Sequence, residues 1–484
     1  MISIIKKDKC KRDTRKGFFS LHSSLFALSL LLLAATVTSC GLYQKYERPE
    51  TKVMDENIMR NASQYANTTD STGFGDVAWR EVFTDPQLQA LIQEGLDNND
   101  DIFTAAANIQ KMEAALSCSR LAFLPSVAFS PQGTLSKVLS GDYKSDWSKS
   151  YTLPVSASWT VDLFGNLLSQ KRGTEMQLEM MKDYEQLTRS MVICGIANAY
   201  YTLLMLDRQL EILDEMDTLT NDTYEMMKLQ KELRGARETA VVSAEASLLS
   251  VRSQKIDMQR QVLAVENNLS LLIGRSAQSI KRGKLADQNM PEKFSTGLAV
   301  NLLAARPDVH AAEMNMANCF YAVETARSKF YPQLTITGTG AYTNNIGQVV
   351  NPGQWLANFV GQLVQPIFQN GRIKAGLKVA QLEYEVAYRE WEHSILSAGA
   401  EVSNALVEYN SAKAKGEVDR QQVEALTKSV DYTKELFQMG SSSYLEVLQA
   451  QSQLLNAKIS QVTDDFNKMQ AVVNLYSALG GGKK

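Results

Sequence analysis

A long internal repeat constrains the fold of this chain of 484 residues more than any other feature. Residues 101–125 align without a gap with residues 308–332, and an offset of about 206 recurs at distant landmarks such as Gly274 and Gly480. The identical pairs in the aligned segment are Asp101/Asp308, Ala105/Ala312, Ala115/Ala322, Arg120/Arg327, Phe123/Phe330 and Pro125/Pro332. A period held over this length predicts a duplicated structural unit.

The placement of proline separates helical from extended stretches. None of the ten prolines lies within residues 155–290 or 367–484, and both spans are rich in good helix formers. Apolar residues spaced three and four apart predict coiled-coil packing. In the last span they are Leu445, Leu448, Leu455, Ile459, Val462, Phe466, Met469, Val473 and Tyr476. Glycines near 235 and 440 can end a helix, so each repeat is predicted to contain one long helical hairpin.

Two extended segments precede each hairpin. Alternation of apolar and polar residues predicts strands at about 126–137 and 150–163 in the first repeat, and at about 333–344 and 355–365 in the second. Strands of this length suit an outer membrane, although a soluble sheet with one wet face shows the same alternation. Four strands are too few to close a barrel, which needs about eight. An oligomer that pools its strands could close one.

The first residues have the form of a bacterial lipoprotein signal. A basic start is followed by an apolar run at 25–35, which suits a signal peptide and is too short to span a membrane. The small residues Val37-Thr38-Ser39 then lead to Cys40. We expect cleavage before Cys40 and a covalent lipid on its thiol, and Gly41 favours the outer membrane. A generic secretion signal with an incidental cysteine is the alternative.

These features divide the chain into a signal peptide at 1–39, an anchor and extended segment at 40–80, repeat 1 at 81–275, a linker at 276–297, repeat 2 at 298–480 and a tail at 481–484. Between the signal and the tail no window has 18 uninterrupted apolar residues, so the sequence gives no indication of a helical membrane protein. A lipid-anchored protein that spans the outer membrane does so as a β-barrel.

Composition argues against several other classes of protein. The net charge of −3, without a basic stripe after residue 16, gives no indication of nucleic-acid binding. Cys118, Cys194 and Cys319 form no CxxC pair, so neither a disulfide framework nor a metal site is predicted. His310 and His393 have no neighbouring nucleophile or ligand cluster. We therefore expect that the protein is not an enzyme. We expect no catalytic residues, no metal and no cofactor apart from the lipid on Cys40.

Six motifs in order resemble the outer-membrane factors of tripartite efflux systems, the TolC-type family, and especially its lipidated OprM/NodT-like branch. They are TSCGLYQKYERP, FTDPQLQALIQEGLDNNDDI, ARPDVHAAE with ARSKFYPQLTITG, QPIFQNGRIKAGL, MGSSSYLEVLQAQSQLLNAK and NLYSALGGG. The resemblance covers nearly the whole chain after the signal. It implies an α+β membrane fold: a trimeric outer-membrane β-barrel of twelve strands, four from each chain, continued by a long periplasmic α-helical coiled-coil barrel.

The resemblance also implies a function. The chain is expected to be a passive export duct for small molecules such as drugs, detergents and dyes, running from the periplasm to the exterior. Its expected partners are two further copies of itself, a periplasmic adaptor protein that opens it, an inner-membrane RND-type pump and the lipid of the outer membrane. Two alternatives remain: a TolC-type channel for protein secretion, and a periplasmic coiled-coil lipoprotein without a pore.

Site residues come from the resemblance alone. It places a periplasmic gate at Leu445, Glu446 and Gln449, although Gln449 stands where family members often carry an acid. Glu446 as a solvated flank charge of the coiled coil is the alternative. The resemblance further implies that an adaptor docks at the hairpin tips, although small residues also suit any tight turn. The tip residues are Arg234, Gly235, Ala236, Met439, Gly440 and Ser441.

Overall fold

The computed structural model describes residues 44–51, 74–137, 147–233, 237–291, 306–346 and 349–482. The predicted signal peptide, Cys40 and the tip residues Arg234, Gly235 and Ala236 lie outside these ranges. The chain divides into a strand-rich unit, which includes Cys118–Gly173 and Cys319–Leu382, and a helical unit, which includes Thr174–Asn318 and Glu383–Lys484.

The strand-rich unit contains one antiparallel sheet. Its strands are β1 (Ser126–Phe129), β2 (Gln132–Ser136), β3 (Ser148–Val161), β4 (Gln333–Ile346) and β5 (Val349–Val364). They pair in the order β1-β3-β4-β5, with β2 also on β3. β1 and β2 keep one register along β3, from Ser126 opposite Ser158 to Ser136 opposite Ser148. The described sheet therefore has the four strand positions that the sequence predicts.

Two strand bounds differ from the predicted ones. The first predicted strand is divided between β1 and β2, because Pro131 has no backbone N–H to donate to the ladder. β5 begins at Val349 rather than near 355, and a register irregularity between Thr343 and Asn345 lets β4 and β5 pair beyond that point.

The helices repeat the same lengths in both halves of the chain. The short helices are α1 (Trp79–Val82), α2 (Pro86–Asn98), α3 (Asp100–Leu121) and α6 (Pro307–Ser328). The long ones are α4 (Asn166–Glu232), α5 (Glu238–Leu272), α7 (Arg372–Gln438) and α8 (Tyr444–Ala478). α4 and α7 each have 67 residues, and α5 and α8 each have 35. Because 372 − 166 and 444 − 238 both equal 206, one offset relates the two hairpins.

A helix of this length spans about 100 Å at 1.5 Å per residue. By length and apolar content α4 could cross a membrane, but 61% of its most apolar window is buried inside the protein, as in the core helix of a soluble domain.

Left-handed glycines end three of the long helices. Gly274 after α5, Gly440 after α7 and Gly480 after α8 have φ angles of 76°, 76° and 75°. Arg275 donates its N–H to Ser270, and the N–H of Gly481 similarly reaches Tyr476. These backbone bonds satisfy carbonyls that the helix end leaves unpaired.

Within the helical unit, α8 packs along α4. Gln451 donates to the Thr223 hydroxyl at 2.9 Å, Gln209 to the Thr463 hydroxyl at 3.2 Å, and the Lys458 ammonium lies 2.7 Å from the Glu215 carboxylate. The predicted apolar positions of α8 are buried or half-buried at this packing surface, apart from Leu445, which is exposed. The coiled-coil periodicity read from the sequence is therefore present, with its exception at the start of the helix.

A buried arginine joins the start of the second repeat to its end. Arg306 donates to the backbone oxygen of Ala478 at 2.6 Å, to both oxygens of Asp308 and to Glu401 at 2.7 Å. In the first repeat, Asn99 donates instead to the backbone oxygen of Leu272 at 2.8 Å. Both side chains satisfy a carbonyl at the end of a long helix, which explains the Arg-Pro-Asp motif structurally.

Candidate functional site

The turn between α7 and α8 places three of the predicted tip residues together. Met439 is exposed and Gly440 adopts a left-handed conformation. The N–H of Gly440 reaches the carbonyl of Phe437 at 3.0 Å, and the N–H of Ser441 reaches that of Leu436 at 2.8 Å. The turn is therefore a hydrogen-bonded helix end that presents Met439 and Ser441 to solvent. No structure is described for the first tip, Arg234, Gly235 and Ala236.

Glu446 occupies the third helical position of a partly formed capping box at the start of α8. Ser443 is the N-cap residue, and its hydroxyl accepts from the backbone N–H of Glu446. The Glu446 carboxylate in turn accepts from the hydroxyls of Ser442 and, at 3.2 Å, of Ser443. The bond from Ser442, followed by that from Ser443, lowers the pKa of Glu446. Sequence reasoning missed this structural role, although Ser443-x-x-Glu446 is the sequence signature of such a box.

The three predicted gate residues share one exposed face of α8. Leu445 and Gln449 are four residues apart, and Glu446 and Gln449 are three apart, which places all three on the same side of the first helical turns. Leu445 is 57% exposed although it belongs to the predicted heptad pattern. The first turns of α8 therefore offer solvent one apolar, one anionic and one amide side chain.

A stripe of apolar side chains on α5 has no partner within the described chain. The stripe residues, spaced seven apart, are Val242, Leu249, Ile256 and Leu263, and they are 53–67% exposed. At the offset of 206 their counterparts on α8 are Leu448, Leu455, Val462 and Met469, which are buried or half-buried. The same heptad positions are thus covered in one hairpin and uncovered in the other.

The surface of α7 shows the complementary difference. Tyr201 and Ile212 on α4 lie at the positions equivalent to Val407 and Val418 on α7. The two α4 residues are fully buried, whereas Val407 and Val418 are more than half exposed. Since α8 covers α4 within the chain, the equivalent surface of α7 has room for an equivalent helix. The α5 stripe of a second copy matches that description.

As far as the described strands extend, the sheet is also open at both sides. Its edge positions are β1 with β2 on one side and β5 on the other. Because the pairing is antiparallel throughout and the number of positions is even, the two edges run in opposite directions. An edge of this kind presents unpaired backbone groups, and β5 of one copy could pair antiparallel with β1 of the next.

The histidines and cysteines do not assemble a reactive centre in the described part of the chain. His310 bonds Asp183 at 2.6 Å, linking α6 to α4. Cys118, Cys194 and Cys319 are free thiols, and burial raises the pKa of Cys194 to about 12. Across the described ranges no group of three or more His, Cys, Asp or Glu side chains could hold a metal ion.

Comparison with known proteins places these features in a family. The pattern of the outer membrane efflux protein family matches residues 91–275 and 298–481, one match in each repeat. The probable efflux pump outer membrane protein TtgC of Pseudomonas putida is 28% identical over 465 residues, which are 94% of this chain and 95% of that protein. The probable outer membrane lipoprotein SilC of Salmonella typhimurium is 25% identical over 467 residues, covering 95% of this chain and 99% of that protein.

Solved structures share the fold. The open state of the MtrE outer membrane channel of Neisseria gonorrhoeae superimposes with a TM-score of 0.79 at 24% sequence identity, covering 91% of this chain and 98% of that one. At this identity the likeness establishes the fold.

Proposed function

The chain belongs to the outer membrane efflux protein family and is therefore an outer-membrane efflux channel. We propose that Leu445, Glu446 and Gln449, at the start of α8, form the gate that closes its passive duct. Members of the family are homotrimers that work with a periplasmic adaptor protein and an inner-membrane RND pump. The channel lies in the outer membrane and continues into the periplasm. Its substrates are small molecules delivered by the pump.

One observation carries the proposal of a duct: the wall is incomplete in a single chain. Among the described residues, the α5 stripe and its α7 counterpart are uncovered, and both edges of the sheet are unpaired. Burial of apolar area contributes about 25 cal/mol per Å², so exposed heptad stripes strongly favour association. A non-pore coiled-coil lipoprotein would not need the sheet, and its edges would remain open.

The gate proposal is supported by the shared exposed face of the three residues near the hairpin tip. In a ring of copies, like charges from Glu446 repel one another and favour cations near the axis. Leu445 supplies an apolar constriction and Gln449 an uncharged one. The same turn, with Met439, Gly440 and Ser441, is our proposed adaptor contact together with Arg234, Gly235 and Ala236.

The gate is tested by conductance of the purified trimer in a planar bilayer. Leu445→Ser with Gln449→Ser should raise the single-channel conductance several-fold, whereas the control pair Gln453→Ser with Asn456→Ser should not, since it lies further along the same exposed face. Glu446→Gln removes the charge and keeps a capping-box residue, so it should weaken block by divalent cations without loosening the helix. Equal effects of the test and control pairs would exclude this gate.

We further propose that the mature chain is anchored by lipid on Cys40 and has no catalytic activity or other cofactor. The lipoprotein name of SilC supports the anchor. Palmitate labelling that disappears in Cys40→Ala is expected, and labelling that persists would refute the anchor.

Efflux assays with Met439→Asp should show lost export at unchanged trimer abundance if this tip contacts the adaptor.

A further inference from the structure

The strands of the sheet carry almost no charge. Among the described residues of β1–β5, Lys149 at the beginning of β3 is the single Asp, Glu, Lys or Arg. Over the whole chain such residues make up 21%. Charged residues are thus nearly absent from both faces of the sheet. A lipid-facing surface is expected to lack charge, but a water-facing surface is not.

The two faces are separated by the register. Residues paired directly across antiparallel strands point to the same side, and successive residues point to opposite sides. One row across the sheet is Ala128, Ser156, Thr339 and Asn358. Parallel rows on the same face contain Thr152, Thr343 and Gln354, then Ser158, Thr337 and Val360, then Thr160, Thr335 and Gln362. This face consists mainly of hydroxyl and amide groups, with one apolar row of Pro154, Ala341 and Leu356.

The opposite face is apolar. It presents Leu153 beside Tyr342 and Trp355, and Trp159 beside Ile336, and these side chains are at least partly exposed in the single chain. In a membrane barrel, apolar residues face the lipid and the alternating polar residues face the lumen. The hydroxyl–amide face is therefore the one that lines the passage.

We propose that this face is a charge-neutral inner wall, so that the outer-membrane section of the channel passes cations, anions and neutral amphiphiles without selecting among them by charge. The proposal rests on the proposed function, since it needs a closed barrel. Channels that select ions do so with rings of charged side chains or of aligned carbonyl groups. Here the hydroxyl and amide side chains both donate and accept hydrogen bonds, so they can solvate either sign of charge.

A neutral wall makes a specific prediction about added charge. If no fixed charge is present, a positive and a negative group introduced at one position must shift ion preference by similar amounts in opposite directions. A wall that already carries charge would respond unequally, because one sign would be partly cancelled and the other reinforced. Asn358 is the best position, because it is exposed and lies on the polar face of β5.

The experiment uses the full-length trimer with Glu446→Gln, so that the proposed gate adds no charge in series, and with Cys118, Cys194 and Cys319 replaced by serine; it carries either Asn358→Cys or its neighbour Ala357→Cys. The reversal potential is measured in a KCl gradient with concentrations of about 0.01 M. At this ionic strength the Debye length is ~30 Å, so a fixed charge on the wall influences ions across the lumen. Cationic trimethylammonium and anionic sulfonate methanethiosulfonate reagents are then added from the aqueous side. With Asn358→Cys, we expect the cationic reagent to shift the ion preference toward chloride and the anionic reagent to shift it toward potassium by a similar amount. With Ala357→Cys, we expect neither reagent to shift it.

The outcomes separate the two proposals. Channels that conduct but respond at 357 rather than 358 would overturn the assignment of the faces. Shifts of clearly unequal size at 358 would overturn the neutrality of the wall. If the parent trimer conducts no ions at all, the duct itself fails, whatever the thiol chemistry shows.

Discussion

The two helical hairpins have the same length and register but differ in what covers them. In the second, the heptad positions of α8 pack on α4 and are buried, and in the first, the equivalent positions of α5 face solvent. The stripe of heptad positions is thus covered within the chain in one hairpin and uncovered in the other. We infer from this difference that the repeat encodes one contact twice, once within the chain and once between chains.

The largest expected effect lies in the uncovered stripe. Leu249→Glu with Ile256→Glu should abolish the trimer, because it places charges where a neighbour's helix must pack. The protomer should keep its helical content, since these side chains are exposed within it. Size-exclusion chromatography in detergent and circular dichroism measure both. The control Gln254→Glu with Gln261→Glu should remain trimeric.

The covered stripe should respond differently. Leu455→Ala removes a side chain buried within the chain, so we expect a loss of about 2–5 kcal/mol in unfolding free energy. Leu249→Ala, at the equivalent position, should leave the monomer's unfolding unchanged and weaken only the trimer. Denaturation of the detergent-dispersed monomer distinguishes them, and equal losses in both would mean that the stripes are not partitioned in this way.

The hairpins also differ in polarity at two matched positions. Asp419 on α7 and Asp464 on α8 are both buried, and the Asp464 carboxylate lies 2.7 Å from the Lys415 ammonium. Their counterparts in the first hairpin are Leu213 and Met258. The neighbouring carboxyl group of Asp464, followed by burial, raises the pKa of Asp419 above its usual 3.8. Burial alone would raise the pKa of Asp464. The contributions of Asp419 and Lys415 outweigh it, so the pKa of Asp464 is lowered. The other charges in this cluster are Asp465, which faces the pair, and Arg420 and Lys468, which face Asp465.

A pH dependence follows from this pair. The folded chain keeps a proton on Asp419 that the unfolded chain loses, so this contribution is complete below pH 3.8 and is lost as pH rises through the raised pKa. Asp464 acts oppositely, and its contribution is lost as pH falls through its lowered pKa. Packing of α7 on α8 should therefore be tightest between the two pKa values, and it should loosen as pH rises through the raised pKa of Asp419 or falls through the lowered pKa of Asp464. Hydrogen exchange measured against pH should show this, and Asp419→Leu with Asp464→Met should remove it.

The smallest expected effect concerns the cap of the second hairpin. Ser443 caps α8, whereas Arg237 at the equivalent position before α5 makes no side-chain cap. Ser443→Ala should cost about 1 kcal/mol at the start of α8. Amide exchange of the first turn should speed up there, while Arg237→Ala should leave α5 unaffected. An unchanged exchange rate at α8 would show that the cap does not hold the turn.

Sequence reasoning recovered what periodicity encodes. The repeat, the proline-free helices and the strand alternation are local or regular patterns, and they predicted the hairpins and the four strand positions. The Asp419–Asp464 pair was missed because the two residues are far apart in sequence and meet only when the hairpin aligns them. Arg306 was noticed as part of a motif, but its partner is a carbonyl oxygen, which leaves no trace in sequence. The gate residues came from resemblance and await their test.

The claim that one contact occurs both within and between chains can be measured directly. Gln451 and Thr223 bond each other at 2.9 Å within a chain, and the offset of 206 converts this pair into Glu245 and Ser429, both exposed. Glu245→Cys with Ser429→Cys, in a background with serine at the three native free cysteines, should be joined between subunits by a short bismaleimide. We expect linked dimers and trimers and nothing larger, and neither single mutant should form them. Intact trimers that yield only unlinked or internally linked chains would contradict the account.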